Sequence, residues 1–216
     1  MMRDMSARER IVRPAVALVG LALLALNAAV LIRAGVGVDP FTALNSGIAA
    51  ALGTSIGNAQ LDVNLVLLIA VLVGGPRTLG IGSVLNLVLT GYMIGGWAAV
   101  LAPLLPGPPP LPVQAILLLV GFALFALGVS VYVSAGIGAG PYDALAPMIV
   151  ERTGWAYRWV RGAQDVLAVL IGWALGGEVG AATAVTALAT GPAVQALSES
   201  AVGPLVERLA GARDRA

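Results

Sequence analysis

The groups able to do chemistry in this chain are few. Among 216 residues there are 11 carboxylates and 12 basic residues, all of them arginine, and there is no histidine or cysteine. Disulfides, thiol nucleophiles and thiolate-held metals are thereby excluded. So is the imidazole that most often shuttles protons or ligates transition metals. Proton or cation chemistry falls to the carboxylates. Asp62 stands two residues before Asn64, Asp165 directly follows Gln164, Asp143 follows Tyr142, and Asp39 precedes Pro40. A carboxylate with an amide beside it can relay a proton or cation, or hold a polar solute. The structural alternative for Asp62 and Asp165 is an interface ion pair with Arg158, Arg161 or Arg77; for Asp143 and Asp39 it is capping the start of a half-helix. Hydrolysis without His or Cys would need a carboxylate dyad, and no nucleotide-binding motif is present. An enzyme, a resident cofactor and a metal centre are therefore not expected.

The elements that must position these residues follow from composition. Hydrophobic residues make up 59% of the chain, charged residues 11%, and the mean hydropathy is +0.94. An ordinary soluble domain carries about 25% charged residues, so this chain cannot build a polar exterior. A soluble enzyme, a nucleic-acid binder and a disordered protein are excluded. The bilayer must solvate most of the surface.

Six segments read as spans: 14–32, about 61–74 with 57–60 extending its start, 78–102, 113–134, 162–175 and 179–197. The first lacks a cleavage site and is too long for a signal-peptide core. The Pro-rich stretch 103–112 separates two halves, because Pro cannot continue a helix. Two further apolar pieces, Pro40–Leu52 and Pro141–Val150, are too short to cross. At about 1.5 Å per residue, a thirteen-residue helix reaches only about 20 Å. Each follows a glycine turn (Gly35 and Gly37 in one case, Gly136 and Gly138 in the other) and each starts with Pro, at Pro40 and Pro141. Proline is a standard first helical residue, and Asp39 is placed to cap the first piece. Both read as re-entrant half-helices.

Arginine placement supports this count. With the N-terminus (1–13) and the amphipathic tail (198–216) in the cytoplasm, six spans put every arginine but Arg33 inside, eleven of twelve. Eight spans would put ten of twelve inside. The loop 103–112 is uncharged and external. The localisation expected is the plasma membrane of a bacterium.

The chain also repeats itself. Shifted by 101 positions, residues 18–44 lie over 119–145 without a gap, and fourteen of 27 positions are identical. The pattern of span, glycine turn, half-helix, span, span recurs in 14–102 and 113–197. Three crossings per half invert the second half relative to the first. Such inverted repeats recur in secondary transporters, with the solute held where broken helices meet.

The paired motifs Gly35–Leu44 and Gly136–Leu145, with GPAVQ at 191–195, resemble the YczE/YyaS/YitT family of small bacterial membrane proteins over about 11–197. Some members of that family are associated with regulators sensing pyridoxal phosphate, so the resemblance implies uptake of a vitamin such as pyridoxine. The first copy departs from the second, with Asp39 for Gly140 and Thr42 for Asp143.

The expectation is an all-α polytopic membrane protein with six transmembrane helices, two re-entrant half-helices and two inverted repeats. Its function is transport of a small organic solute. The rivals are a substrate-binding subunit needing an energy-coupling partner and a membrane scaffold or sensor. Partners expected are the bilayer and the solute, with a homodimer or coupling subunit open. Asp62, Asn64, Asn86, Tyr142, Asp143, Gln164 and Asp165 are the substrate-contact candidates, and the first two and last four should converge on one cavity. Asn45 has the same claim as Asn86. Trp155, Tyr157 and Trp159, among Arg158 and Arg161, read as an interface belt.

Overall fold

The computed structural model describes residues 5–75 and 77–211, all helical or loop. Arg3, Arg213 and Arg215, counted above as cytoplasmic, lie outside these residues. Helix α1 (Ala7–Ala34) begins seven residues before Pro14. Ser6 Oγ accepts from the Glu9 N–H at 3.2 Å and Glu9 accepts from the Ser6 N–H at 2.7 Å. This reciprocal box satisfies two orphan donors and sets the helix start upstream of the proline. At the other end Gly35 closes α1 in the left-handed region at φ 67°.

Helix α2 (Pro40–Leu52) has the bounds the punctuation predicts. Asp39 Oδ1 accepts from the Thr42 N–H at 3.1 Å, and Gly53 ends the helix. Helices α3 (Ile56–Gly74), α4 (Ile81–Leu101) and α5 (Leu111–Ser134) follow. Helix α6 (Pro141–Thr153) runs three residues past its expected end, because Pro147 is absorbed and Gly154 supplies the stop. Then come α7 (Tyr157–Ala174), α8 (Ala181–Leu197), one π-helical turn (Ser198–Val202) and α9 (Gly203–Ala210).

Among the described residues, four helices are long and apolar enough to cross a bilayer: α1, α3, α4 and α5. The remaining two expected spans fall short of that. Helix α7 begins five residues before 162 and so takes in Arg158 and Arg161 beside Asp165, and α8 has only 17 residues.

Helices α1 and α5 pack antiparallel through glycines. A Cβ on Gly20 would lie 2.6 Å from the Tyr132 nitrogen and 2.9 Å from the Gly128 oxygen; one on Gly121 would meet Leu31 and Asn27. The contact is reciprocal, since Gly20, Asn27 and Leu31 stand 101 positions before Gly121, Gly128 and Tyr132. The glycine turns are paired in the same way. Val38 N–H donates to the Glu178 carbonyl at 3.0 Å, and Ala182 N–H to Val36 at 2.9 Å. Ala139 N–H donates to Thr78 at 3.0 Å, and Gly82 N–H to Ile137 at 2.8 Å. Each turn is thus bonded to the start of the last helix of the other half. Helix α2 continues along the α7–α8 loop, where the Glu178 N–H reaches Ser46 Oγ, and it packs on α7. Helix α6 runs along the α3–α4 loop, with Arg152 on the Val73 carbonyl and Glu151 paired with Arg77, and it packs on α3.

The tail helix α9 turns Val206 and Ala210 inward and leaves Leu205 and Leu209 exposed. Arg13 ties it down: its guanidinium donates to Glu207 at 3.2 Å and to the Ala135 carbonyl at 3.0 Å. Arg13→Ala is expected to release α9 at a cost of about 1–3 kcal/mol. Limited proteolysis of detergent-solubilised protein should then cleave within 203–210 several-fold faster than in wild type.

Candidate functional site

The site is built where the two short helices begin. Phe41 and Tyr142, each the second residue of its helix, stack with ring centroids 4.4 Å apart and planes at 23°. They stand 101 positions apart, so equivalent residues of the two halves meet each other. Proline at the preceding position fixes the backbone entry of both helices.

A charged network closes around Tyr142. Its hydroxyl donates to Asp165 Oδ1 at 2.7 Å. Arg161 Nε donates to Asp165 Oδ2 at 3.1 Å, and its Nη1 to Asp143 Oδ1 at 2.9 Å. The same guanidinium lies over the Tyr142 ring at 5.0 Å. Gln164 Nε2 donates to the Tyr142 carbonyl at 2.7 Å. Arg161 and Asp165 are one helical turn apart on α7, so a single helix face presents both charges to α6. Arg161 is thus paired with two carboxylates, Asp143 and Asp165. Asp39 is buried at the start of α2.

Beside this network is a largely apolar pocket of about 390 Å³. Tyr142 and Gln164 give it polar edges, Leu44 and Leu67 an apolar wall, and Trp155 and Trp159 a rim. Trp155, Tyr157 and Trp159 are exposed, as an interface belt requires.

Of the candidates, Tyr142, Asp143, Gln164 and Asp165 come together. Asp62 does not join them: it is exposed on α3 and has no hydrogen bond or ion pair among the described residues. Its neighbour Asn64 is fully buried. At about 100° per residue the two point about 200° apart, so only one can face the interior. At the 101-residue offset the counterpart of Asp165 is Asn64, and the counterpart of Arg161 is Gln60. Asn86 is buried on α4 against the start of α6, where a Cβ on Gly140 would lie 2.7 Å from its Oδ1. The turn residues have the roles expected of them. Gly35, Gly37, Gly136 and Gly138 all adopt positive φ, Asp39 caps α2, and Pro40 and Pro141 open their helices.

Phe41 and Arg161 complete the site without having been among the candidates for it. Both had a signal in the sequence. Phe41 aligns with Tyr142 in the repeat, and Arg161 stands four residues before Asp165 on one helical face.

The class defined by these features is a helical membrane protein in which a polar network gathers where two short helices begin. The chain belongs to a family of unknown function, DUF6198, whose pattern matches residues 11–199. It is 32% identical over 178 residues to the uncharacterized membrane protein YczE of Bacillus subtilis, covering 80% of this chain and 79% of that one. It is 31% identical over 180 residues to an uncharacterized protein of Haemophilus influenzae, covering 82% and 79%. No solved structure matches the chain.

Proposed function

We propose that the protein is a transporter of a small organic solute, built from two inverted repeats. The observation that carries this is the stacking of Phe41 on Tyr142 beside the Arg161 network. It joins the first turns of both half-helices and the charged face of α7 at one point. Half-helix N-termini offer free backbone N–H groups and a partial positive charge to a bound solute. The reciprocal contacts of α1 with α5, and of the two glycine turns, support a two-fold relation between the halves. Because α1 and α5 are antiparallel, that relation inverts one half with respect to the bilayer.

In this reading α7 and α8 also cross, giving six spans, and α2 and α6 are re-entrant. Both termini are cytoplasmic and the loop 103–112 is outside, in a bacterial plasma membrane. A Cys placed at Gly107 in this Cys-free chain should react with an impermeant maleimide in intact cells. Reaction only after the cells are opened would contradict the orientation.

The vitamin expectation rests on the resemblance alone, and the polar network does not by itself select a vitamin. Proteoliposomes containing this chain as sole protein should take up at least one member of a panel of labelled small organic solutes above the level of empty liposomes. Uptake that appears only with a second subunit, or not at all, favours the coupling-subunit or scaffold alternatives.

A further inference from the structure

The apolar pocket beside the network is drawn out along one helix face. Trp159, Val160, Ala163, Leu167 and Ile171 of α7 all line it. Their spacing of three and four residues keeps them on one side of the helix. From Trp159 to Ile171 the helix rises about 18 Å, at about 1.5 Å per residue. The other sides are Leu44 of α2, Leu67 of α3 and Leu145 of α6. Helices α2 and α6 each pack on both α3 and α7, and the groove lies where these four helices meet. Trp155, Trp159, Leu167 and Ile171 are exposed as well as lining it. The groove therefore opens sideways, onto the surface that the bilayer covers.

Along its length the groove offers little to a polar guest. The Tyr142 hydroxyl is committed to Asp165, and Gln164 Nε2 to the Tyr142 carbonyl. One buried acceptor is left, Gln164 Oε1. At the rim the chemistry changes. The Arg158 guanidinium lies over the Trp159 ring, 5.4 Å from its centroid. Arg158 is exposed and has no carboxylate partner among the described residues. Tryptophan at a membrane surface sits at headgroup level. Half of a hydrocarbon core of about 30 Å is about 15 Å. The groove thus starts at headgroup depth, beside an unpaired cation, and runs inward for about the thickness of one leaflet.

We propose that the groove holds one acyl chain of an anionic phospholipid, with the lipid phosphate on Arg158. The length, the apolar lining and the cation at the headgroup end match the three parts of such a molecule. Arginine is well suited to the phosphate, because its planar fork can bond two oxygens at once. The sideways opening favours a phospholipid over a detached amphiphile. One chain enters the groove while the second stays among the surrounding lipids, so the molecule never leaves the bilayer. Seated there, the chain covers the Tyr142 and Gln164 edge and closes the network off from the side. This lipid site is separate from the transport reading, which uses the network itself.

The test reads lipid binding directly. The full chain in detergent is titrated with dipalmitoyl phosphatidylglycerol and followed by native mass spectrometry. One saturable lipid adduct is expected. Phosphatidylcholine with the same chains should bind about fivefold more weakly, the weight of one arginine beside an anionic headgroup. Arg158→Gln should bring the two lipids to equal affinity. Ala163 is exposed on the groove face of α7, so Ala163→Trp fills the groove from outside and should remove the adduct. Val84→Trp, at an exposed position on α4, should keep it. Equal binding of the two lipids by wild type, an unchanged preference in Arg158→Gln, or an adduct that survives Ala163→Trp would each overturn the site. Adducts with palmitate but none with phosphatidylglycerol would overturn the phospholipid in favour of a free fatty acid. A dimer mass that Ala163→Trp abolishes, with no lipid adduct, would overturn it in favour of a second copy of the chain.

Discussion

Asp165→Asn is expected to cut solute uptake at least tenfold while leaving expression and membrane insertion intact. Asp165 accepts from the Tyr142 hydroxyl with one oxygen and from Arg161 with the other. Its side chain is only 14% exposed. The amide keeps the shape but has a single acceptor, and its –NH₂ confronts one of the two donors. Loss of one charge-assisted hydrogen bond is worth about 1.5–3 kcal/mol in a buried setting, which corresponds to about ten- to a hundredfold in rate. Arg161 keeps Asp143, so the helix pair stays joined. Normal uptake would place Asp165 outside the mechanism.

Gly37→Ala and Gly138→Ala should each abolish recovery of folded protein. A Cβ at Gly37 would lie 2.2 Å from the Gly180 nitrogen, and one at Gly138 would lie 2.5 Å from the Gly80 nitrogen. Both neighbours are backbone, so no side-chain rotation relieves the clash. Both glycines also sit at positive φ, 83° and 114°. Strain and overpacking together cost about 2–6 kcal/mol, against a total stability of about 5–15 kcal/mol for a typical domain. Gly53→Ala is the control: its φ is 62° but nothing lies within 4 Å of the added Cβ, so only the left-handed strain of about 1–2 kcal/mol is felt. Size-exclusion profiles of detergent extracts should show a folded peak for Gly53→Ala and little for the other two. A normal peak for Gly37→Ala would mean that the turn does not make the close joint described.

What the sequence reveals depends on whether the signal is local. Helix α2 is legible because its cap, its first proline and its closing glycine all lie within fifteen residues, and each acts on the backbone beside it. The arrival of Phe41 on Tyr142 is legible only through the repeat, since nothing near Phe41 announces its partner. Proline misleads in both directions. Pro14 and Pro147 lie inside helices, because the Ser6–Glu9 box and Gly154 determine the ends more strongly than a missing N–H does. Asp62 misleads for a geometric reason: nearness in sequence to Asn64 is not nearness on a helix. Arg161 reads as an interface cation because the aromatic residues beside it in the sequence, Trp155, Tyr157 and Trp159, are exposed. That it turns inward depends on Asp143, which arrives from another helix.

The central claim is that the halves are inverted, and the most direct measurement compares equivalent loops. Arg77 and Glu178 are both exposed and occupy corresponding loops, α3–α4 and α7–α8. Single cysteines at these two positions should differ in sidedness. Glu178→Cys should react with an impermeant maleimide in intact cells, and Arg77→Cys only once the cytoplasmic face is opened. Reaction of both from the same side would contradict the inversion and the transport mechanism built on it.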